Sequence, residues 1–159
     1  KERGISCLIH QPSYSMLNRW IEKDLLKTLS KLGIGCIAFS PLAQGMLSEK
    51  YLHKIPKNSR AAENSSLDKS KITKSYVKKI KGLSKIGNNR GQTISQLAIA
   101  WILRHKTMTS ALIGSRTVKQ LEECLDSLKN LKFSKFELKQ IDKFAKEEKI
   151  NLWEPSSRY

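Results

Sequence analysis

Cysteine is scarce in this chain, and the three present, Cys7, Cys36 and Cys124, stand far apart in apolar surroundings. That spacing suits neither a disulfide framework nor a zinc motif, so all three are expected to be buried thiols. Long apolar runs are missing too: none approaches the roughly 20 residues that cross a bilayer. The Lys1-Glu2-Arg3 start has no apolar core of the kind a signal peptide needs. A cytoplasmic protein without a membrane partner is therefore expected. Acidic residues are few, 14 against 30 basic ones, which leaves a net charge of +16. Such an excess could serve a nucleic-acid backbone. The 23 Lys and 7 Arg, however, are scattered along helix faces among acidic neighbours, with no aromatic ladder or recognition motif between them. Solvated lysine faces are the expected explanation, with no nucleic-acid partner. His10, His53 and His105 share no ligand spacing, and no metal is expected.

What is present describes one unit with its own core, since 159 residues with 39% apolar content suffice for that. Residues 5–10 (ISCLIH) predict a strand buried on both faces. Glu22, Leu25, Leu26, Leu29 and Leu32 share one helical stripe, and Gly33 stands where a carboxyl cap belongs. The run 34–39 (IGCIAF) predicts a second strand, parallel to the first. Residues 48–70 lose all periodicity and predict a long functional loop. From Ile72 to about Asn89 a helix carries Ile72, Tyr76, Val77, Ile80 and Leu83 on one side and lysines on the other. Thr93 predicts the N-cap of a helix running to Arg104. A third strand is predicted over Ser110–Ile113, followed by a helix from Val118 with Leu121, Cys124, Leu125 and Leu128 inward. Ser134 and Glu137 form a capping box for a last helix. The composition is α/β, but three strands neither close a barrel nor cover a doubly wound sheet. They leave an unpaired sheet edge, through which self-association is expected, and marginal stability.

Each strand ends in polar, small or aromatic residues: Gln11 after the first, Phe39 and Ser40 after the second, Gly114 to Arg116 after the third. Pro41 and Gly45 stop the second strand and let backbone approach a ligand. The turn from Gly114 into the helix at Val118 presents unpaired N–H groups and a positive dipole end, with the Arg116 fork beside it. An ordinary strand-to-helix turn has the same spacing, so at this point the two readings stand side by side.

The ordered motifs Gln11-x-x-Tyr14 with Leu17-Asn18-Arg19, Phe39-Ser-Pro-Leu-Ala-x-Gly45 with Lys50-Tyr51, and Leu112-Ile-Gly-Ser-Arg116 with Gln120-Leu-Glu-Glu123 resemble the carboxyl-terminal part of the aldo-keto reductases. The resemblance runs from residue 5 to about 145. It is nearest to the subgroup with bacterial L-glyceraldehyde 3-phosphate reductases and potassium-channel beta subunits, the former also through the tail Asn151-Leu-Trp153. It implies a partial (β/α)8 TIM barrel, strands six to eight with their helices plus a carboxyl-terminal helix. It implies NADPH as cofactor and a small-molecule carbonyl substrate. By the same resemblance, Gln11 would bond the nicotinamide carboxamide and Phe39 would stack on its ring. Ser40, Pro41, Leu42, Gln44 and Gly45 would line the pyrophosphate, with Lys50 and Arg60 supplying cations. Gly114, Ser115 and Arg116 would meet the 2′-phosphate, with Gln120 and Glu123 near the adenine and ribose. Cys124 stands where the family usually has Asn. The family's catalytic Asp, Tyr, Lys and His have no counterparts here, and Tyr14 matches a sixth-strand Tyr, not the catalytic one. The expected function is therefore cofactor binding within a carbonyl reductase, and the other reading is a relic or interaction module without activity.

Overall fold

The computed structural model describes residues 4–63 and 67–147. Three short strands, β1 (Ile9–His10), β2 (Gly35–Ala38) and β3 (Met108–Ala111), form a parallel sheet in the order β1-β2-β3. The helices are α1 (Leu25–Leu32), α2 (Lys74–Asn89), α3 (Ile94–Ile102), α4 (Val118–Asp126) and α5 (Lys135–Asp142). Gly33 ends α1 in the left-handed conformation, φ 67°, and donates to the Leu29 and Ser30 carbonyls, so the chain turns at once into β2. The expected caps form: Thr93 closes a capping box with Gln96, and Ser134 closes one with Glu137. Register shifts once between Cys36 and Ile37, where Thr109 bulges outward and its hydroxyl accepts from the Cys36 N–H at 3.2 Å.

The core lies where α2 and α3 pack together and where the chain after β1, from Tyr14 to Ile21, folds in; Trp101, Tyr14, Met16, Leu17 and Ile80 are fully buried. As expected, α2 turns Tyr76, Ile80 and Leu83 inward and leaves Lys74, Lys78, Lys81 and Lys85 exposed. The loop after Ser48 is held down by buried Tyr51, Ser59, Ala61 and Leu67.

Several expectations are corrected. Only Ile9 and His10 of residues 5–10 form strand, and residues 5–9 are exposed, because β1 has a hydrogen-bonded neighbour on one side only. Cys7 is accordingly an exposed thiol, while Cys36 and Cys124 are buried. Helix α3 stops at Ile102, and the Arg104 side chain folds back to donate to the Trp101 carbonyl at 2.7 Å. The third strand begins two residues earlier than expected and ends at Ala111. Of the face expected inward on α4, Cys124 alone is buried; Leu121, Leu125 and Leu128 are exposed. Leu32 is exposed as well. The tail Asn151-Leu-Trp153 lies outside the described residues.

Candidate functional site

Beyond Ala38 the β2 chain passes Phe39, still bridged to Ser13, and coils into a tight turn over Ala43–Gly45. Ser40, Ala43 and Gln44 hold φ of 55°, 48° and 60°, and they are the non-glycine residues with positive φ among the described ones. Each such residue costs about 1 kcal/mol or more, so this strain is concentrated in one loop. Local bonds sustain it: Ser40 O accepts from Ala43 N at 2.9 Å, and the Ser48 hydroxyl donates to Gly45 O at 2.6 Å.

Facing this loop, the chain after β3 leads into α4. Thr117 caps the helix by accepting from Gln120 N at 3.2 Å, while Gln120 Oε1 accepts from Arg116 N at 2.9 Å. Between loop and helix lies a cleft of about 720 Å³. Its lining includes every candidate residue except Gln11: Phe39, Ser40, Pro41, Leu42, Gln44, Gly45, Lys50, Arg60, Gly114, Ser115, Arg116, Gln120 and Glu123. Gln11 is exposed at the end of β1, the strand on the other side of β2 from β3. Ser48, Ser95, Leu112, Ile113 and Cys124 complete the wall. Of these, Ser48 and Ser95 went unnoticed in the sequence, and Ser48, three residues after Gly45, carried the one local signal.

Three cations, Lys50, Arg60 and Arg116, share the cleft with one carboxylate, Glu123, so the site is electropositive. Glu123 accepts from the Thr93 hydroxyl at 2.8 Å. The Gln44 side-chain oxygen is buried in this wall without a hydrogen-bond partner. Burial, and then the neighbouring Glu123 charge, push the Cys124 thiol above its ordinary pKa, so it stays protonated. Among the described residues, no group of three or more His, Cys, Asp or Glu could hold a metal ion.

A second polar cluster lies outside the cleft. Glu22 Oε1 accepts from Tyr14 at 2.5 Å and from Arg104 at 2.9 Å, and Oε2 accepts from Arg19 at 2.9 and 2.6 Å. Arg104 lies 3.6 Å over the buried Trp101 ring. Burial pushes the Glu22 carboxyl up, but the converging donors outweigh it and hold it well below the carboxylate range. His105 Nε2, at 3.9 Å, is beyond hydrogen-bond length, so the two arginines and Tyr14 carry that effect. Burial in turn raises the Tyr14 hydroxyl far above its usual pKa. Tyr14 is thus bound into a structural network.

The Aldo/keto reductase family profile matches residues 1–146. This chain belongs to the aldo-keto reductase family. It is 44% identical to the L-glyceraldehyde 3-phosphate reductase of Escherichia coli K12 over 99% of this chain and 47% of that protein. It is 35% identical to a probable voltage-gated potassium channel subunit beta of Arabidopsis thaliana, over 73% of this chain and 37% of that one. Among solved structures, the thermostable aldo-keto reductase Tm1743, crystallised with the inhibitor epalrestat, superposes with a TM-score of 0.61 at 26% identity. That superposition covers 86% of this chain and 39% of Tm1743. The chain thus spans about half the length of the curated reductase it matches. Aldo-keto reductases generally use NADPH. The cleft's donor set fits such a group, with cations for phosphates and a helix amino terminus.

Proposed function

We propose that the cleft between the Ser40–Gly45 loop and the start of α4 holds NADPH, and that this chain is the cofactor-gripping part of a cytoplasmic reductase acting on aldehydes or ketones. The reading rests above all on one observation: the strained loop, three cations and a helix amino terminus converge on one electropositive cleft. When bound, the cofactor supplies the hydride. The residues of the chain bind and orient. Phe39 offers its ring to the nicotinamide, and Gln11 its side-chain amide to the carboxamide. Backbone from Ser40 to Leu42, with Gln44 and Gly45, lines the pyrophosphate, and Lys50 and Arg60 balance its charge. Gly114, Ser115 and the planar fork of Arg116 take the 2′-phosphate. Gln120 and Glu123 face the adenine and ribose, with Cys124 in place of the usual Asn.

A phosphorylated aldehyde such as L-glyceraldehyde 3-phosphate is the substrate suggested by the Escherichia coli relative. In this reading the proton donor of the reaction is not on this chain, since the family's catalytic Asp, Tyr, Lys and His have no counterparts here. Titration with NADPH, followed by the fluorescence of the nicotinamide, is expected to saturate, and added aldehyde is expected to cause no oxidation. Absence of binding would overturn the cofactor assignment, and steady oxidation would overturn the claim that the acid lies elsewhere.

A further inference from the structure

We propose that Tyr76, whose side chain stays outside the cleft, is a positioning residue for the cofactor: its hydroxyl, seconded by that of Ser95, holds the Ser40–Gly45 loop in the shape that receives the pyrophosphate. This role rests on the NADPH reading above.

The loop does not hold its shape unaided. Ser40, Ala43 and Gln44 have positive φ, a region that non-glycine residues leave when nothing restrains them. Restraint comes through Gly45, Met46 and Leu47. Their carbonyls accept, one after another, from three hydroxyls: Ser48 at 2.6 Å, Tyr76 at 2.6 Å and Ser95 at 3.3 Å. Their N–H groups point back into the loop, with Gly45 N and Leu47 N donating to Leu42 O at 2.9 and 3.1 Å, and Met46 N donating to Ala43 O at 3.0 Å. These residues therefore tie the strained turn to the helices behind it. Ser48 belongs to the same segment and moves with it, whereas Tyr76 stands on α2 and Ser95 on α3.

Both hydroxyls reach the loop from a fixed base, the first turn of a capped helix. The Thr73 hydroxyl accepts from Tyr76 N at 3.0 Å, and Thr93 closes its box with Gln96. The Tyr76 bond is the shorter of the two and lies in the interior, where Tyr76 is 2% and Met46 1% exposed. Burial, and then neighbouring Tyr51, push the Tyr76 hydroxyl above the ordinary tyrosine value, so it stays a donor across the neutral range. Without that donor the Met46 carbonyl is buried and unpaired, a cost that falls on the present shape and is relieved when the loop turns the carbonyl toward water. Movement of Met46 also frees Ala43 O, and the strained backbone at Ala43 and Gln44 relaxes with it. Part of the binding energy of the cofactor is then spent on rebuilding the loop. A matched control lies close by: the Tyr51 hydroxyl, equally buried, has no hydrogen-bond partner among the described residues.

The test compares Tyr76→Phe and Tyr51→Phe with the native chain by calorimetric titration with NADPH and with adenosine 2′-monophosphate, which carries the 2′-phosphate but no pyrophosphate. Tyr76→Phe is expected to bind NADPH about tenfold more weakly and adenosine 2′-monophosphate as the native chain does. Tyr51→Phe should match the native chain with both ligands. Amide hydrogen exchange of Gly45, Met46 and Leu47 should be about tenfold faster in Tyr76→Phe, with protection restored by saturating NADPH. Ser95→Ala removes the longer bond from the other helix and is expected to weaken NADPH binding about threefold, with the same faster exchange, a result that does not depend on Tyr76→Phe folding. Affinity and exchange equal to the native chain's in both Tyr76→Phe and Ser95→Ala would overturn the positioning role and leave the cofactor assignment standing. Equal losses for NADPH and adenosine 2′-monophosphate in Tyr76→Phe would overturn it as well, since the hydroxyl would then serve the fold as a whole. A native chain that binds neither ligand removes the cofactor assignment, and the positioning role with it.

Discussion

The Thr93 hydroxyl donates to the Glu123 carboxylate at 2.8 Å and at the same time accepts from Gln96 N at 3.2 Å. One small side chain therefore starts α3 and holds a carboxylate of the cleft in place. Thr93→Val removes both bonds and is expected to cost about 1 kcal/mol of stability through the lost cap. It is also expected to weaken NADPH binding several-fold. Thr93→Ser, which keeps the hydroxyl, should restore both. Urea unfolding and NADPH titration of the two variants check this, and equal affinities for Val and Ser would detach Glu123 from the cofactor.

Glu22 sets the acid limit of the fold. Its carboxyl is held below its ordinary value, so its stabilising effect is present above the pKa of a free glutamate, about 4.3. That effect is lost progressively as pH falls below this point toward the lowered folded value. The urea midpoint should therefore fall more steeply from about pH 5 to 3 in the native protein than in Glu22→Gln. At pH 7 that variant should be less stable by about 2 kcal/mol, because it weakens bonds to two arginines and Tyr14.

Gly87 packs where its helix meets the following turn. A Cβ there would come within 2.8 Å of the Gln92 carbonyl oxygen, a backbone atom that also belongs to the approach to the Thr93 cap. Ala ordinarily gains about 1 kcal/mol over Gly inside a helix. Here the clash wins, and Gly87→Ala is expected to destabilise by about 2 kcal/mol, as overpacking does. A denaturation midpoint at or above that of the native chain would show that the turn yields.

Local signals in the sequence located most of the helices. Thr93, Ser134 and Gly33 act on residues three or four positions away, so their caps could be read without any tertiary knowledge. The Glu22 network could not, because Arg104 reaches it from 82 positions along the chain. Periodicity on α4 states which face seeks apolar company, and it is silent on whether a neighbour is present; hence Leu121 and Leu125 were expected inward and lie in water. In the cleft, Pro41 and Gly45 announced a turn, but left-handed backbone at Ser40, Ala43 and Gln44 has no signature in those residue types. That Arg60 of the long loop meets Arg116 of the α4 turn in one cleft depends on packing, and only the family resemblance brought them together beforehand.

The most direct measurement is the ratio of NADPH to NADH affinity in the native chain and in Arg116→Ala, taken by fluorescence titration. Arg116 stands exposed at the amino end of α4, where a planar fork suits a 2′-phosphate. NADPH is expected to bind the native chain at least about tenfold more tightly than NADH, a difference of about 1.4 kcal/mol, and the variant is expected to lose that preference while retaining NADH affinity. An unchanged ratio in Arg116→Ala, or no binding of either nucleotide by the native chain, would contradict the assignment of this cleft to NADPH.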